Sequence, residues 1–119
     1  MLAISTDSVY SHKVFLETSP SLKNVRYPLL SDRNHEISRA YRVLDEPSGA
    51  CFRASFFIDE SQIIRAKFIY PQEVGRNAEE HLRLLKGLQY AKQTGKGVPA
   101  DWKPGEPGMG SDSDMIGKI

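Results

Sequence analysis

Residues 51–70 read CFRASFFIDESQIIRAKFIY, and this stretch decides how the surrounding chain folds. Its first eight residues are rich in phenylalanine and predict a strand over residues 51–58. Apolar and basic side chains then alternate from Gln62 to Tyr70, which predicts a second, half-exposed strand with its apolar residues on one side. Because only the polar triplet DES separates the two runs, we expect an antiparallel hairpin.

The residues ahead of the hairpin predict the strand-then-helix order of an α/β protein. Residues 2–5 (LAIS) form a short apolar run typical of the inside of a parallel sheet, and residues 8–17 predict the helix that follows. Residues 27–31 and 35–43 predict a second strand and a second helix. Since an inside strand needs neighbours on both edges, we expect the chain to be the second part of a larger α/β domain.

The clearest predicted helix follows the hairpin. Asn77 is a good N-cap, leucines recur at helical spacing, and Gly95 is a natural C-terminal stop. Beyond it Gly, Pro, Ser and Asp dominate, which predicts an extended arm or tail in which Trp102 docks onto the same chain or a partner. We therefore expect a domain part over residues 1–95 and an arm over residues 96–119.

The composition is that of a single globular domain. The 119 residues carry 16 basic against 15 acidic side chains, so no charge excess points to nucleic acid or to a membrane surface. No apolar run approaches the roughly 20 residues of a membrane span, and the N-terminus lacks the pattern of a secretory signal. The single cysteine favours a reducing cytoplasm. Because no nucleotide-binding motif occurs, we predict no cofactor.

Cys51, the only cysteine, has two interpretations. Arg53 lies two positions away on the same face of the predicted strand, where its charge could favour a reactive thiolate. A free cysteine at the start of an apolar strand also packs as a small hydrophobic residue. We favour packing, because reactive cysteines are found more often at helix N-termini.

The three histidines show none of the spacings typical of a metal site. His12 and His81 fall on predicted helices, and His35 lies ahead of one. We expect these side chains to pack or to cap helices, and we predict no metal ion.

Five stretches of the chain match, in order and spacing, the motifs of one protein family. DSVYSHKVF (7–15) is similar to DSxFSHxxW, and YPLLSD (27–32) is similar to FPLLSD. FRASFFIDE (52–60) resembles xRGLFIID, VGRNAEE (74–80) resembles VGRSVDE, and PADWKPG (99–105) resembles PAGWKPG. These motifs are those of the peroxiredoxins of the alkyl hydroperoxide reductase C and thiol-specific antioxidant type, which this chain therefore resembles.

The resemblance implies a thioredoxin-like α/β fold, with a mixed central sheet and flanking helices, here incomplete on the N-terminal side. It also implies reduction of peroxides by a peroxidatic cysteine in a PxxxTxxC motif, with a thiol as the reductant. Arg53 matches the active-site arginine that binds the peroxide and stabilises the developing charge, and Arg76 matches a second, supporting arginine. This sequence contains no PxxxTxxC motif, and Val98 stands where the resolving cysteine of the family lies.

Two functional hypotheses follow from the resemblance. The intact family member is a thiol-dependent peroxidase that serves redox homeostasis, and this chain, which lacks both cysteines, is expected to be inactive alone. The alternative is a non-catalytic assembly module that pairs with itself or with an intact peroxiredoxin subunit through the edge strand and the C-terminal arm, using Ile64, Phe68 and Trp102. A third hypothesis is reconstitution with a separate N-terminal fragment that carries the PxxxTxxC helix.

Overall fold

The computed structural model describes residues 1–110 of the chain. The chain divides into two compact units, the first spanning residues 1–75 and the second beginning at Arg76. Part of the predicted arm, residues 111–119, lies outside the described residues. The predicted division between a domain part and an arm therefore stays a prediction.

In the first unit, short strands and helices alternate as far as α2 and four strands then follow, and one long helix opens the second unit. No helix within residues 1–110 combines the length and the apolar character needed to cross a bilayer. The elements are β1 (Ala3–Ser5), α1 (Val9–Thr18), β2 (Leu29–Ser31), α2 (Glu36–Ala40), β3 (Leu44–Asp45), β4 (Ala50–Cys51), β5 (Arg53–Ile58), β6 (Ile64–Tyr70) and α3 (Ala78–Thr94).

The strand–helix–strand order predicted at the N-terminus is confirmed. β1 and β2 pair in parallel, with Ala3 opposite Leu29, and α1 connects them. Ser8 caps α1 because its side-chain oxygen accepts a hydrogen bond from a backbone N–H of the first turn. The helix lies against one face of the strand pair, where His12 Nε2 is 2.6 Å from the Oγ of Ser5.

α2 is shorter than the helix predicted over residues 35–43. It ends early because Arg42 takes a left-handed backbone conformation (φ 57°), which an α-helix does not accommodate. At its start, the Asp32 carboxylate accepts hydrogen bonds from the backbone N–H groups of Ile37 at 3.0 Å and Ser38 at 2.7 Å. This carboxylate therefore anchors α2 to the end of β2.

The hairpin forms as predicted, but its first strand is divided in two. β4 pairs with β3, with Cys51 opposite Leu44, whereas β5 pairs with β6, with Arg53 opposite Tyr70. The prediction of one continuous strand is wrong because the chain changes its pairing partner at Phe52. That change depends on where β3 lies, which the local apolar pattern does not report.

Aromatic rings cover both faces of β5. Phe56 and Phe57 are neighbours in the strand and so point to opposite faces. The Phe56 ring lies 4.8 Å from that of Tyr41, and the Phe57 ring lies 6.0 Å from that of Phe68. Phe68 belongs to β6, the strand paired with β5, so its contact with Phe57 lies within one face of this two-stranded sheet, whereas Tyr41 comes from outside it.

The strands of residues 1–110 form three separate two-stranded sheets, namely β1–β2, β3–β4 and β5–β6. The first pair is parallel and the other two are antiparallel. The predicted mixture of parallel and antiparallel strands with helices is therefore confirmed. Within these residues, hydrogen bonds do not join the pairs into one central sheet.

The long helix of the second unit begins and ends where its caps predict. The Asn77 side chain accepts a hydrogen bond from the backbone N–H of Glu80, and Gly95 takes the left-handed conformation (φ 71°) that closes the helix. The acidic residues Glu79 and Glu80 occupy the first turn, where they complement the helix dipole.

The chain beyond α3 folds back onto the same helix. Trp102 is only 2% exposed, and its ring lies 5.6 Å from that of Tyr90. Gly87 leaves room for this contact, because a Cβ at that position would lie 3.3 Å from Val98 and 3.8 Å from Trp102. The expectation that Trp102 docks is confirmed, and it docks onto its own chain.

Candidate functional site

Arg53 lies at the exposed start of β5. Its Nε–H donates a hydrogen bond of 2.8 Å to the backbone carbonyl of Gln72. Because β5 pairs Arg53 with Tyr70, the chain that leaves β6 carries Gln72 past the guanidinium. Within residues 1–110, no hydrogen bond or ion pair involves the two Nη atoms.

The Arg53 guanidinium is thus fixed at Nε, whereas its two Nη groups are open. A backbone carbonyl fixes Nε, so the planar group keeps a defined orientation while its outer N–H groups face solvent. Two parallel N–H donors on a permanent cation suit a ligand that presents adjacent oxygens or a developing oxyanion. The arrangement can therefore bind and polarise an oxygen-rich group at the surface of the first unit.

Cys51 is half-buried, and its hydrogen-bond partner is Ser38. The Sγ lies 3.0 Å from the Ser38 Oγ, which in turn donates to the Oδ2 of Asp32 at 2.5 Å. Because the Ser38 proton is directed at Asp32, the thiol is the donor to Ser38. The half-buried thiol thus belongs to a hydrogen-bond network between β4 and α2, which supports the packing interpretation of Cys51.

Asp32 is the fixed anion of this network and is only 3% exposed. Burial is the largest single influence and would raise the pKa of its carboxyl. Hydrogen bonds from the Ser38 hydroxyl, the Ser38 N–H and the Ile37 N–H outweigh burial together, so the pKa of Asp32 lies below its ordinary value of 3.8. The carboxylate stays ionised at neutral pH and orients Ser38 toward the thiol.

Arg76 and Val98, the other positions that the resemblance singles out, lie in the second unit. Arg76 is exposed, one residue ahead of the helix cap Asn77. Val98 is half-buried and packs on Gly87 of α3. The supporting role of Arg76 stays a prediction.

The three residues predicted to form a dimer interface differ in their surroundings. Ile64 is 48% exposed at the start of β6. The Phe68 ring lies 6.0 Å from that of Phe57 and 6.3 Å from that of Tyr70. Trp102 is buried against its own chain. Only Ile64 thus offers a large exposed apolar surface, and the interface role of all three residues stays a prediction.

The histidines lie in separate surroundings. His12 contacts Ser5, His35 takes a left-handed conformation (φ 64°) directly ahead of α2, and His81 Nδ1 lies 2.6 Å from the Asn77 carbonyl. Within residues 1–110, no three His, Cys, Asp or Glu side chains come together in a group able to hold a metal ion.

Two partners in the site were missed by sequence reasoning. The Gln72 carbonyl that orients Arg53 is a backbone group 19 residues away, and no side-chain pattern reports it. Asp32 lies where the sequence predicts a candidate cap for the helix over residues 35–43, but the contacts of Ser38 with both Asp32 and Cys51 have no local signal.

Residues 1–67 match the AhpC/TSA family. The chain belongs to this family. Residues 87–118 match the C-terminal domain of 1-Cys peroxiredoxin. Four of the five motifs quoted from the sequence lie inside one of these two matched regions, and VGRNAEE (74–80) lies between them. The predicted family is therefore confirmed.

Relatives from several organisms share more than a third of their residues with this peroxiredoxin chain. Peroxiredoxin 2 of Thermoplasma acidophilum is 38% identical over 111 residues, which cover 92% of this chain and 56% of the relative. Alkyl hydroperoxide reductase C of Pseudomonas aeruginosa is 36% identical over 117 residues, covering 98% of this chain and 63% of the relative. The chain thus spans little more than half the length of these relatives.

Superposition on solved peroxiredoxin structures confirms that this chain has the predicted thioredoxin-like fold. The reduced 2-Cys peroxiredoxin of Plasmodium vivax superposes with a TM-score of 0.87 at 29% identity, over 95% of this chain and 60% of that chain. A cysteine-to-serine mutant of the Peroxiredoxin 6 of Arenicola marina superposes with a TM-score of 0.79 at 29% identity, over 97% of this chain and 59% of that chain.

Proposed function

We propose that this chain is the arginine-bearing, C-terminal part of a thiol-dependent peroxidase. The observation that carries the proposal is the geometry of Arg53, whose Nε is fixed by the Gln72 carbonyl while its Nη groups stay open. Membership of the AhpC/TSA family supports the reaction class, and the motif resemblance matches Arg53 to the active-site arginine of that family.

In the proposed reaction, a cysteine thiolate supplied by the part of the enzyme that this sequence lacks attacks one peroxide oxygen. The S–O bond forms as the O–O bond breaks, and the second oxygen leaves as an alkoxide or hydroxide that takes up a proton. Negative charge therefore moves from sulfur to the leaving oxygen, where the open Nη groups of Arg53 stabilise it. One thiol of the reductant then condenses with the sulfenic acid to a mixed disulfide with release of water, and a second thiol exchanges with that disulfide, which returns the cysteine thiol and releases the reductant as its disulfide.

We further propose that the chain alone does not reduce peroxides. Its single thiol is half-buried and hydrogen-bonded to Ser38, and the sequence contains no PxxxTxxC motif to supply a peroxidatic cysteine. The test is peroxide consumption by the purified chain with dithiothreitol, and we expect no turnover above the reductant alone. Turnover that disappears in Cys51→Ser would make Cys51 the nucleophile and would overturn the proposal.

A second candidate function is assembly through β6. Within residues 1–110 no strand other than β5 pairs with β6, and Ile64 is 48% exposed on it. An edge strand of this kind can pair with a second copy or with an intact peroxiredoxin. Sedimentation of Ile64→Lys against the parent chain tests this function, since a dimer that persists unchanged would exclude β6. We place these events in the cytoplasm, the compartment that the single cysteine favours.

A further inference from the structure

Arg53 and Tyr70 lie directly opposite each other in the β5–β6 hairpin. The side chains of two paired residues leave an antiparallel hairpin on the same face, with their Cβ atoms about 4.5–5.5 Å apart. The hydrogen bond from Arg53 Nε to the Gln72 carbonyl directs the guanidinium toward the segment that follows Tyr70. Tyr70 is therefore the cross-strand neighbour of the residue that carries the open Nη groups.

The ring of Tyr70 is packed, whereas its hydroxyl is free to bind a ligand. The side chain is half-buried, and its ring lies 6.3 Å from that of Phe68 on the same face of β6. Within residues 1–110, the Tyr70 hydroxyl forms no hydrogen bond. Since a phenol O–H both donates and accepts, this group has a proton available for an oxygen ligand beside Arg53.

The proposed reaction requires a proton at this place. As the O–O bond breaks, the second oxygen leaves as an alkoxide or hydroxide and must be protonated. Arg53 stabilises the charge on that oxygen, but a guanidinium is not deprotonated in proteins and does not supply the proton. A separate acid within reach of the leaving oxygen would therefore accelerate the step.

Two hydroxyl groups share the hairpin face that carries Arg53. Ser55 is two residues further along β5 and lies opposite Phe68, whereas Tyr70 lies opposite Arg53 itself. The hydroxyl of a serine is an alcohol, so it is no stronger an acid than the alcohol or water that is being formed. A phenol is far stronger, with an ordinary pKa of about 10 against about 15.7 for water. Position and acidity both favour Tyr70.

We propose that Tyr70 is a further catalytic residue, the general acid that protonates the leaving oxygen. The inference rests on the proposed function and adds one step to it. The O–H bond of the phenol breaks as a new O–H bond forms on the alkoxide or hydroxide, which departs as an alcohol or as water. The phenolate then takes up a proton from solvent, so Tyr70 is restored after each turnover.

The first experiment uses the full chain alone, with acetate as the probe. Acetate presents two adjacent oxygens that accept hydrogen bonds from a guanidinium and a phenol, as a leaving oxygen would. In nuclear magnetic resonance titrations at constant ionic strength, we expect the Arg53 Nε signal and the Tyr70 ring signals to shift with the same concentration dependence. Tyr41 is the matched control, because its ring packs on Phe56, on the opposite face of β5, and should not shift.

The second experiment measures single-turnover oxidation of the peroxidatic thiol in a chimera that joins the N-terminal part of Thermoplasma acidophilum Peroxiredoxin 2 to the full chain. The leaving oxygen of hydrogen peroxide needs a proton, whereas peracetic acid releases acetate, which is stable without one. Tyr70→Phe keeps the ring and should lower the rate constant at least tenfold for hydrogen peroxide but less than about twofold for peracetic acid. Tyr41→Phe should leave both rate constants unchanged.

The outcomes separate the inference from the proposed function. Acetate shifts at Arg53 without shifts at Tyr70, or a Tyr70→Phe chimera as fast as its parent with hydrogen peroxide, would overturn the inference and leave the peroxidase proposal standing. Equal losses with both peroxides would also overturn it, because they would show that the phenol only maintains the structure of the site. A parent chimera that neither peroxide oxidises would contradict the proposed function, and the inference would fail with it.

Discussion

The Sγ of Cys51 lies 3.0 Å from the Oγ of Ser38. Arg53, two residues later in the sequence, donates a hydrogen bond to a different partner, the backbone carbonyl of Gln72. The two side chains that adjoin in the sequence therefore serve different purposes in the fold. The thiol ties β4 to α2, whereas the guanidinium is fixed at Nε by a backbone carbonyl at the surface.

Removing the thiol should destabilise the chain modestly. Cys51→Ala loses the donor to Ser38 and should lower the free energy of unfolding by about 1 kcal/mol. Cys51→Ser keeps a donor at the same place and should lose less. Urea denaturation of the three proteins measures the difference, and equal midpoints for the alanine and serine variants would show that this hydrogen bond contributes nothing.

The Asp32 network predicts a definite pH dependence of stability. Because the pKa of Asp32 is lower in the folded chain than its ordinary value of 3.8, the ionised carboxylate stabilises the fold above about that pH. The contribution is lost as pH falls from 3.8 through the lower, folded pKa. Asp32→Asn should be less stable at neutral pH and should lose less further stability on acidification, as urea denaturation from about pH 7 down to about pH 2.5 would show.

Ser38→Ala provides the matched comparison for this pH profile. It keeps the carboxylate and the two backbone hydrogen bonds but removes the hydroxyl donor. Its acid-induced loss should therefore fall between those of the parent chain and Asp32→Asn. A slope equal to that of the parent would mean that the Ser38 hydroxyl does not hold the pKa of Asp32 down.

Arg53 should matter for turnover and hardly at all for folding. In a chimera that joins the N-terminal part of Thermoplasma acidophilum Peroxiredoxin 2 to this chain, Arg53→Lys should reduce kcat/KM for hydrogen peroxide at least tenfold, because an ammonium cannot offer two parallel donors. Arg65→Lys is the control, since Arg65 instead pairs with Asp59 at 3.5 Å. Both variants should unfold within about 0.5 kcal/mol of the parent. Equal losses of activity would contradict the assigned role of Arg53.

The close approach at Gly87 predicts that bulk at this position displaces the arm. Gly87→Val puts methyl groups where Val98 and Trp102 now pack, and it should lower the free energy of unfolding by about 1–3 kcal/mol. Gly75→Val is the control, because a Cβ on Gly75 meets no atom within 4 Å. Limited proteolysis should cut the Gly87 variant faster beyond Gly95, and identical cleavage of both variants would contradict the packing argument.

Elements with local signals were predictable from the sequence. The caps Asn77 and Gly95 mark the ends of α3, and the DES triplet marks the hairpin turn, because both depend on residues a few positions apart. The break at Phe52 and the early end of α2 at Arg42 were not predictable. The break depends on the pairing of β4 with β3, and the early end of α2 depends on the left-handed conformation of Arg42. Apolar periodicity encodes neither.

The candidate site divides in the same way. Arg53 was found because its neighbours form a family motif, whereas its orientation depends on a carbonyl that any residue at position 72 would carry. The hydrogen bond between Cys51 and Ser38 joins residues 13 positions apart on different elements. Only the fold brings such pairs together, so the sequence identified the residue types without their contacts.

Trp102 is the only tryptophan of the chain, and its indole lies buried between α3 and the returning arm, with its N–H bonded to the carbonyl of Glu106 at 2.9 Å. The emission of this protein under excitation at long ultraviolet wavelengths therefore originates from one position. The wavelength of that emission reports, without any added label, whether the segment around Trp102 is packed on α3 or exposed to water.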